Sequence, residues 1–325
     1  MESGARCDEV LRFFMTHRHS FRVFAVEDLP AAIAEAKPTG SFAHINGLKL
    51  HYLDWGATDS AGNHSRQRRL KPAATTILLC HGGSAHCHWW DEVGGRLTHC
   101  GRVLALDFRG HGRSQWASQY GLAVHLDDLI TFIRDHVGQR VVLVGHSMGG
   151  EIAMRVAVDC PDLLDGLIVV DASPAGLPLR TRLMWRWKRR KQNGPRPEFT
   201  TSEALIARFR LSPPGHNLTP AALATLALKG AEQVPNGNWA FRLDPNTRAL
   251  SSGWRLPKCR IQDIRLPVLI IRGEHSGLVT ERQARLMHRR IPGSKLRTIP
   301  SAYHHVSLDN PEACASAIAE FVESL

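Results

Sequence analysis

Four aliphatic residues, Val141-Val142-Leu143-Val144, run directly into Gly145-His146-Ser147-Met148-Gly149, and Ile152-Ala153-Met154-Arg155-Val156-Ala157 continues with helical character. A strand that turns this sharply into a helix leaves little room for a Cβ beside the turn, which is why glycines flank it. The serine between them stands at the tip of the turn with its hydroxyl clear of the backbone, as a nucleophile requires. A structural glycine turn is the plainer alternative. The aliphatic run before the pentapeptide and the helical run after it favour the nucleophile.

The same strand-then-helix rhythm extends along the chain. Apolar runs at Thr76–Cys80, Arg102–Leu106, Arg140–Val144, Gly166–Val170, Val268–Arg272 and Lys295–Ile299 read as strands. Ala123–Val137, Gly150–Asp159, Thr280–Arg290 and Pro311–Val322 read as helices. Strands that are apolar on both faces, each followed by an amphipathic helix, specify an α/β fold with a mostly parallel sheet covered on both sides. Asn46-Gly47, between two alternating runs, marks a hairpin. The rhythm stops between Pro174 and Pro257, where Leu179–Lys191, Ser202–Leu211 and Pro220–Gly230 are helix-like and no strand stands out. This predicts a helical cap at 174–257 lying over the C-terminal edge of the sheet, an N-terminal extension at 1–40, and a core formed by 41–173 and 258–325.

Charge and cysteine content narrow the classes. The chain carries 41 Lys and Arg against 30 Asp and Glu, a net charge of +11. Eight basic residues and no acidic one fall between Arg180 and Pro197, so the excess is one local block and predicts no nucleic-acid partner. Nothing approaches the apolar length of a transmembrane helix, and Glu2, Asp8 and Glu9 interrupt any signal-peptide pattern. The seven cysteines are irregularly spaced and read as reduced thiols in a cytoplasmic protein. His86-Cys87-His88 looks metal-binding, but adjacent side chains rarely aim at one ion and no second ligand pair matches, so no metal and no cofactor are expected.

Four motifs in order, His81-Gly82-Gly83, Asp107-Phe108-Arg109-Gly110-His111-Gly112-Arg113-Ser114, Gly145-His146-Ser147-Met148-Gly149-Gly150 and Ser301-Ala302-Tyr303-His304-His305-Val306, resemble the α/β-hydrolase superfamily from about residue 41 to the end. The chain is similar to its capped branch of esterases, epoxide hydrolases, haloalkane dehalogenases and C–C bond hydrolases. The resemblance implies Ser147 as nucleophile, whereas the dehalogenases and epoxide hydrolases carry aspartate there. It implies His304 as general base, with adjacent His305 as a rival. Many members place an aspartate where this chain has Ser276, in Arg272-Gly273-Glu274-His275-Ser276-Gly277. A carboxylate is still needed to orient the imidazole. Asp171, directly after Ile168-Val169-Val170, is the first candidate, Glu274 the second, and a site without a third carboxylate the remaining alternative. The backbone N–H groups of Gly83 and Met148 are the expected oxyanion donors, and Asp107–Ser114 reads as a structural turn.

These readings predict a serine hydrolase that cleaves an ester of a hydrophobic acyl substrate through an acyl-enzyme. C–C bond or thioester hydrolysis, acyl transfer, and a non-catalytic small-ligand receptor are the alternatives. Leu179, Leu183 and Trp187 form one stripe within the basic block. That block is a solvated face of the cap, a contact for anionic membrane through 179–191, or a holder of anionic substrate. Trp89, Trp90, Trp239 and Trp254 are candidate pocket walls or core residues.

Overall fold

The computed structural model of the chain describes residues 37–56, 75–174, 195–249 and 259–325. The expected extension up to residue 36, the polar run at 57–74 and the basic block expected to be helical at 179–191 lie outside the described residues, as does Trp254. The strands within the described residues are β1 (Thr39–Ile45), β2 (Leu48–Gly56), β3 (Thr76–Cys80), β4 (Arg102–Leu106), β5 (Val141–His146), β6 (Leu164–Val170), β7 (Glu198–Phe199), β8 (Ala231–Gln233), β9 (Trp239–Phe241), β10 (Val268–Gly273) and β11 (Lys295–Ile299).

Eight of them form one sheet in the order β1-β2-β4-β3-β5-β6-β10-β11. β1 and β2 are antiparallel and joined through Asn46 and Gly47, both at positive φ, the turn that the Asn-Gly pair predicts. β2 is antiparallel to β4, and every later pairing is parallel. Alternate residues of the apolar strands feed two separate cores. Leu78, Leu104, Leu143, Leu167 and Ile270 face one, packed with Ile152 and Val156 of the helix Met148–Asp159 and with Leu129 of Leu122–Thr131. Ile77, Leu79, Val142, Val144, Ile168 and Ile271 face the other, with Trp90, Val93 and the helix Pro311–Glu323. Two buried faces account for runs without polar alternation.

Register decides which residues meet. Cys80 pairs with Gly145, Gly145 with Val169, Val170 with Ile271, and Gly273 with Ile299. The residues that follow β3, β5, β6, β10 and β11 therefore emerge side by side at one edge of the sheet.

The insertion departs from an all-helical reading. Its helices Ser202–Arg208 and Pro220–Lys229 form where expected, each opened by a threonine, Thr201 and Thr219, whose side chain accepts a backbone N–H. Between and before them β7, β9 and β8 build a small antiparallel sheet. Strands of two or three residues are too short to display a period of two, so hydrophobic patterning does not reveal them. The insertion rests on the loops at the C-terminal edge. Asp244 N–H donates to Gly110 O (2.9 Å), Lys229 pairs with Asp91 (2.5 Å), and Asn217 N–H donates to Asp309 Oδ1 (2.8 Å).

Asp128, fully buried, grips Arg109 with two 2.6 Å bonds and also accepts from Asn46 Nδ2 (3.0 Å). Removing it strands a guanidinium in the interior. Asp128→Ala is expected to lower the unfolding free energy by about 3–5 kcal/mol, read from urea denaturation. A loss below about 1 kcal/mol would show that water reaches Arg109 freely.

Candidate active site

Ser147 occupies the turn between β5 and the helix Met148–Asp159 at φ 52° and ψ −114°, a conformation costly for a residue with a side chain. The turn is held by Ser147 N–H donating to Val170 O (3.0 Å) and Glu151 N–H donating to Ser147 O (3.0 Å). A Cβ on Gly145 would strike the Gly149 carbonyl, and one on Gly149 would lie 2.6 Å from Cys80 O. The two glycines thus let the helix sit directly against β3 and β5.

Ser147 Oγ lies 3.1 Å from His304 Nε2, and His304 Nδ1 lies 2.7 Å from Asp171 Oδ2. A carboxylate accepts, so Nδ1–H donates to Asp171 and Nε2 faces the serine hydroxyl with its lone pair. All three side chains are supplied by loops at the one sheet edge. His304 and Asp171 are buried.

Asp171 stands where β6 ends, at φ 44°, with its N–H donating to Ile271 O (2.8 Å). Its Oδ1 accepts Gly273 N–H (3.1 Å) and its Oδ2 accepts the Ser276 hydroxyl (2.6 Å). Ser276 Oγ in turn accepts from Val279 N–H (3.0 Å) and Leu278 N–H (3.3 Å). Thus Ser276, which stands at the position usual for the family's acid, serves the carboxylate from the neighbouring strand as a donor. Glu274 turns away: its Oε2 accepts Ser301 N–H (2.8 Å) and lies 3.7 Å from His275 Nε2.

The rival His305 faces the insertion, its Nε2–H donating to Pro213 O (3.1 Å). Burial, with His304 beside it, pushes its pKa down to about 3. His146 was not singled out from sequence, yet its Nε2–H donates to the His304 backbone carbonyl (2.8 Å) and anchors the loop that carries His304. Burial, then His304, hold its pKa well below the usual imidazole value. Its sequence signal is only its place before Ser147.

Gly83 and Met148 are brought together. A Cβ built on Gly82 would lie 3.2 Å from Ser147 Cβ, and one on Gly83 would lie 3.9 Å from Met148 Sδ. Met148 opens its helix, so its N–H has no partner within it. His81 pins this loop, donating through Nδ1 to Gly82 O (2.7 Å) and accepting Phe108 N–H at Nε2 (3.1 Å). Asp107 accepts from Cys87 N–H (2.6 Å), Arg113 N–H (3.0 Å) and His51 Nδ1 (2.8 Å), the turn-fixing role expected of its motif. In His86-Cys87-His88, Cys87 Sγ turns toward His51 while His88 pairs with Asp91. Trp89 borders the site, its ring centroid 5.2 Å from that of His305, whereas Trp90 is core and Trp239 belongs to β9.

A model of the alpha/beta hydrolase family matches residues 77–317. Among curated relatives, esterase Rv0045c of Mycobacterium tuberculosis is 28% identical over 249 residues, covering 74% of this chain and 80% of the relative. The sn-1-specific diacylglycerol lipase of Danio rerio is 26% identical over 320 residues, covering 92% and 99%. Among solved structures, E-2-(acetamidomethylene)succinate hydrolase superposes with a TM-score of 0.73 at 22% identity, covering 88% of this chain and 99% of that one. At that identity the superposition establishes the fold alone.

The buried histidines make stability depend on pH. Burial, with His111 next, lowers His81 to about 3, and burial lowers His86 to about 4 despite nearby Asp107. With His305 these imidazoles are neutral when folded but protonate near pH 6.5 when unfolded. Unfolded chains then bind more protons, so stability is full above about pH 6.5 and is lost as pH falls toward about 4. The expected slope is about 1.4 kcal/mol per pH unit for each imidazole. Urea midpoints between about pH 8 and pH 5 would measure it, and a flat profile would refute the assignment.

Proposed function

The chain belongs to the alpha/beta hydrolase family, and from that premise we propose that it is a serine hydrolase cleaving an ester of a hydrophobic acyl substrate. The carrying observation is the unbroken hydrogen-bond chain Ser147–His304–Asp171, with steps of 3.1 and 2.7 Å. In this reading Ser147 Oγ attacks the ester carbonyl while His304 Nε2 takes its proton. Asp171 fixes the imidazole tautomer and stabilises the imidazolium. The N–H groups of Gly83 and Met148 receive the developing oxyanion. His304 then returns the proton to the leaving alcohol, and water, deprotonated by the same imidazole, releases the acyl group from Ser147.

Two features support an apolar acyl chain. Ala85 and Trp89 from the loop after β3 pack with Leu211 and Leu226 of the insertion, and Phe209, Leu218, Leu223 and Leu308 stand partly buried around them. Trp89 ties this apolar cluster to the histidines around Ser147. The names of the relatives, an esterase and a diacylglycerol lipase, point to the same bond class.

A fluorophosphonate probe is expected to label the protein at Ser147 and to fail on Ser147→Ala. Asp171→Asn is expected to lower turnover of p-nitrophenyl esters by about 10⁴-fold, whereas Glu274→Gln leaves it within about twofold. Because Ser276 already reaches Asp171, adding Ser276→Asp to Asp171→Asn is expected to recover part of the loss. Labelling of Ser147→Ala overturns the nucleophile. Absence of both labelling and turnover returns the chain to the ligand-receptor reading.

A further inference from the structure

Two aromatic side chains stand exposed among the described residues, Phe42 at 38% and Trp116 at 40%. Each carries cations. Lys49 Nζ lies 4.5 Å and Arg113 Cζ 5.9 Å from the centre of the Phe42 ring, and Arg196 Cζ lies 5.3 Å from that of Trp116. The two groups are joined through Gln115. Lys49 N–H donates to Gln115 Oε1 (3.0 Å) and Gln115 N–H to Lys49 O (2.9 Å), which straps the loop carrying Arg113 and Trp116 onto β2. Arg242 adds a fourth cation, repelled by both Arg113 and Arg196. Two carboxylates oppose the four. Glu232 is shared between Arg196 (2.6 Å) and Arg242 (2.9 Å), and Glu198, beside Arg196, accepts from Asn236 and Asn238. Lys49 and Arg113 pair with no carboxylate among the described residues.

Strand register sets where this patch lies. Tyr52 pairs with Leu106, the last residue of β4, so Lys49 stands beyond the end of that strand, at the edge where the candidate site emerges. Arg196 and Arg242 belong to the insertion that rests on the same edge, and Arg196 closes the basic run that begins at Arg180. We propose that Phe42 and Trp116, with the cations around them, form a docking surface for an anionic membrane. Aromatic rings settle at the headgroup level of a bilayer, and cations beside them meet its negative surface. Single-stranded nucleic acid also uses aromatics and cations, but it stacks its bases on open ring faces. Here cations stand over those rings. The docking does not rest on the hydrolase reading; with it, the candidate site is held near the phase into which apolar esters partition.

The full chain is floated with phosphatidylcholine vesicles prepared with and without phosphatidylserine. Binding is expected only where phosphatidylserine is present, and it weakens as salt is raised. Lys49→Ala and Arg113→Ala are each expected to lower the partition coefficient about fivefold. Phe42→Ser with Trp116→Ser is expected to lower it at least about tenfold, because less apolar area enters the interface. Far-UV circular dichroism checks that each variant folds. Should the aromatic pair fail that check, Lys49→Glu with Arg113→Glu decides: abolished binding supports the patch, and retained binding refutes it. The run at 180–191 is the rival surface. Binding that is lost in Lys188→Ser/Arg189→Ser/Arg190→Ser but ignores Phe42, Trp116, Lys49 and Arg113 overturns the proposal. So does equal binding to both kinds of vesicle, or retention of single-stranded DNA with the vesicles ignored. Ser147→Ala is expected to float with the vesicles as the unaltered chain does, so failure of the hydrolase reading leaves this result standing.

Discussion

Parallel register is the constraint on which the rest of this molecule depends. Ser147, Asp171 and His304 are separated by 24 and 133 residues, and no local interaction brings them together. They meet because β5, β6, β10 and β11 run in the same direction and end at the same level. A slip of one residue in any of these pairings would reverse every side chain on that strand between two different apolar cores. The burial of Val142, Val144, Ile168 and Ile271 on one face and Leu143, Leu167 and Ile270 on the other therefore also fixes the level of the site.

Within that frame the position of the proposed acid is a matter of which strand end holds a carboxylate with enough donors. Asp171 receives Gly273 N–H, the Ser276 hydroxyl and His304 Nδ1–H. Ser276 is itself polarised by the N–H groups of Val279 and Leu278. Hydrogen bonds to a carboxylate favour its charged form, which compensates for the loss of water on burial. Glu274 sits one strand away at a similar height but is half exposed and bonded to Ser301 N–H. A longer side chain at the strand mouth reached the loop backbone in preference to the imidazole.

The histidines around Ser147 divide the work by partner. His81 and His146 hold backbone loops, while His305 reaches the insertion. Their burial keeps them neutral and so keeps further positive charge away from His304. The insertion touches this ring of imidazoles through Pro213, which His305 reaches, and through the apolar cluster that holds Trp89.

Much of this was legible in the order of residues. The glycine-flanked serine, the doubly apolar strands, the Asn-Gly hairpin and the capped helices are local: each is set by chain stereochemistry and by hydrophobic periods spanning a few residues. Ser147, and His304 in its motif, could be picked out because the motifs that carry them are short and contiguous. Asp171 could be ranked ahead of Glu274, and His304 ahead of His305, but neither pair could be separated outright, and the anchoring task of His146 could not be read at all. Each depends on where a side chain points after strands far apart in sequence have paired. The small sheet β7-β9-β8 was hidden for the opposite reason, since two or three residues contain too few alternations to reveal a strand. Sequence alone therefore determined the fold class and ranked the candidates for the site, because stereochemistry and periodicity act over a few bonds; tertiary structure decided which of those candidates share hydrogen bonds and which imidazoles are buried around them, because partners at that edge are assigned by strand register.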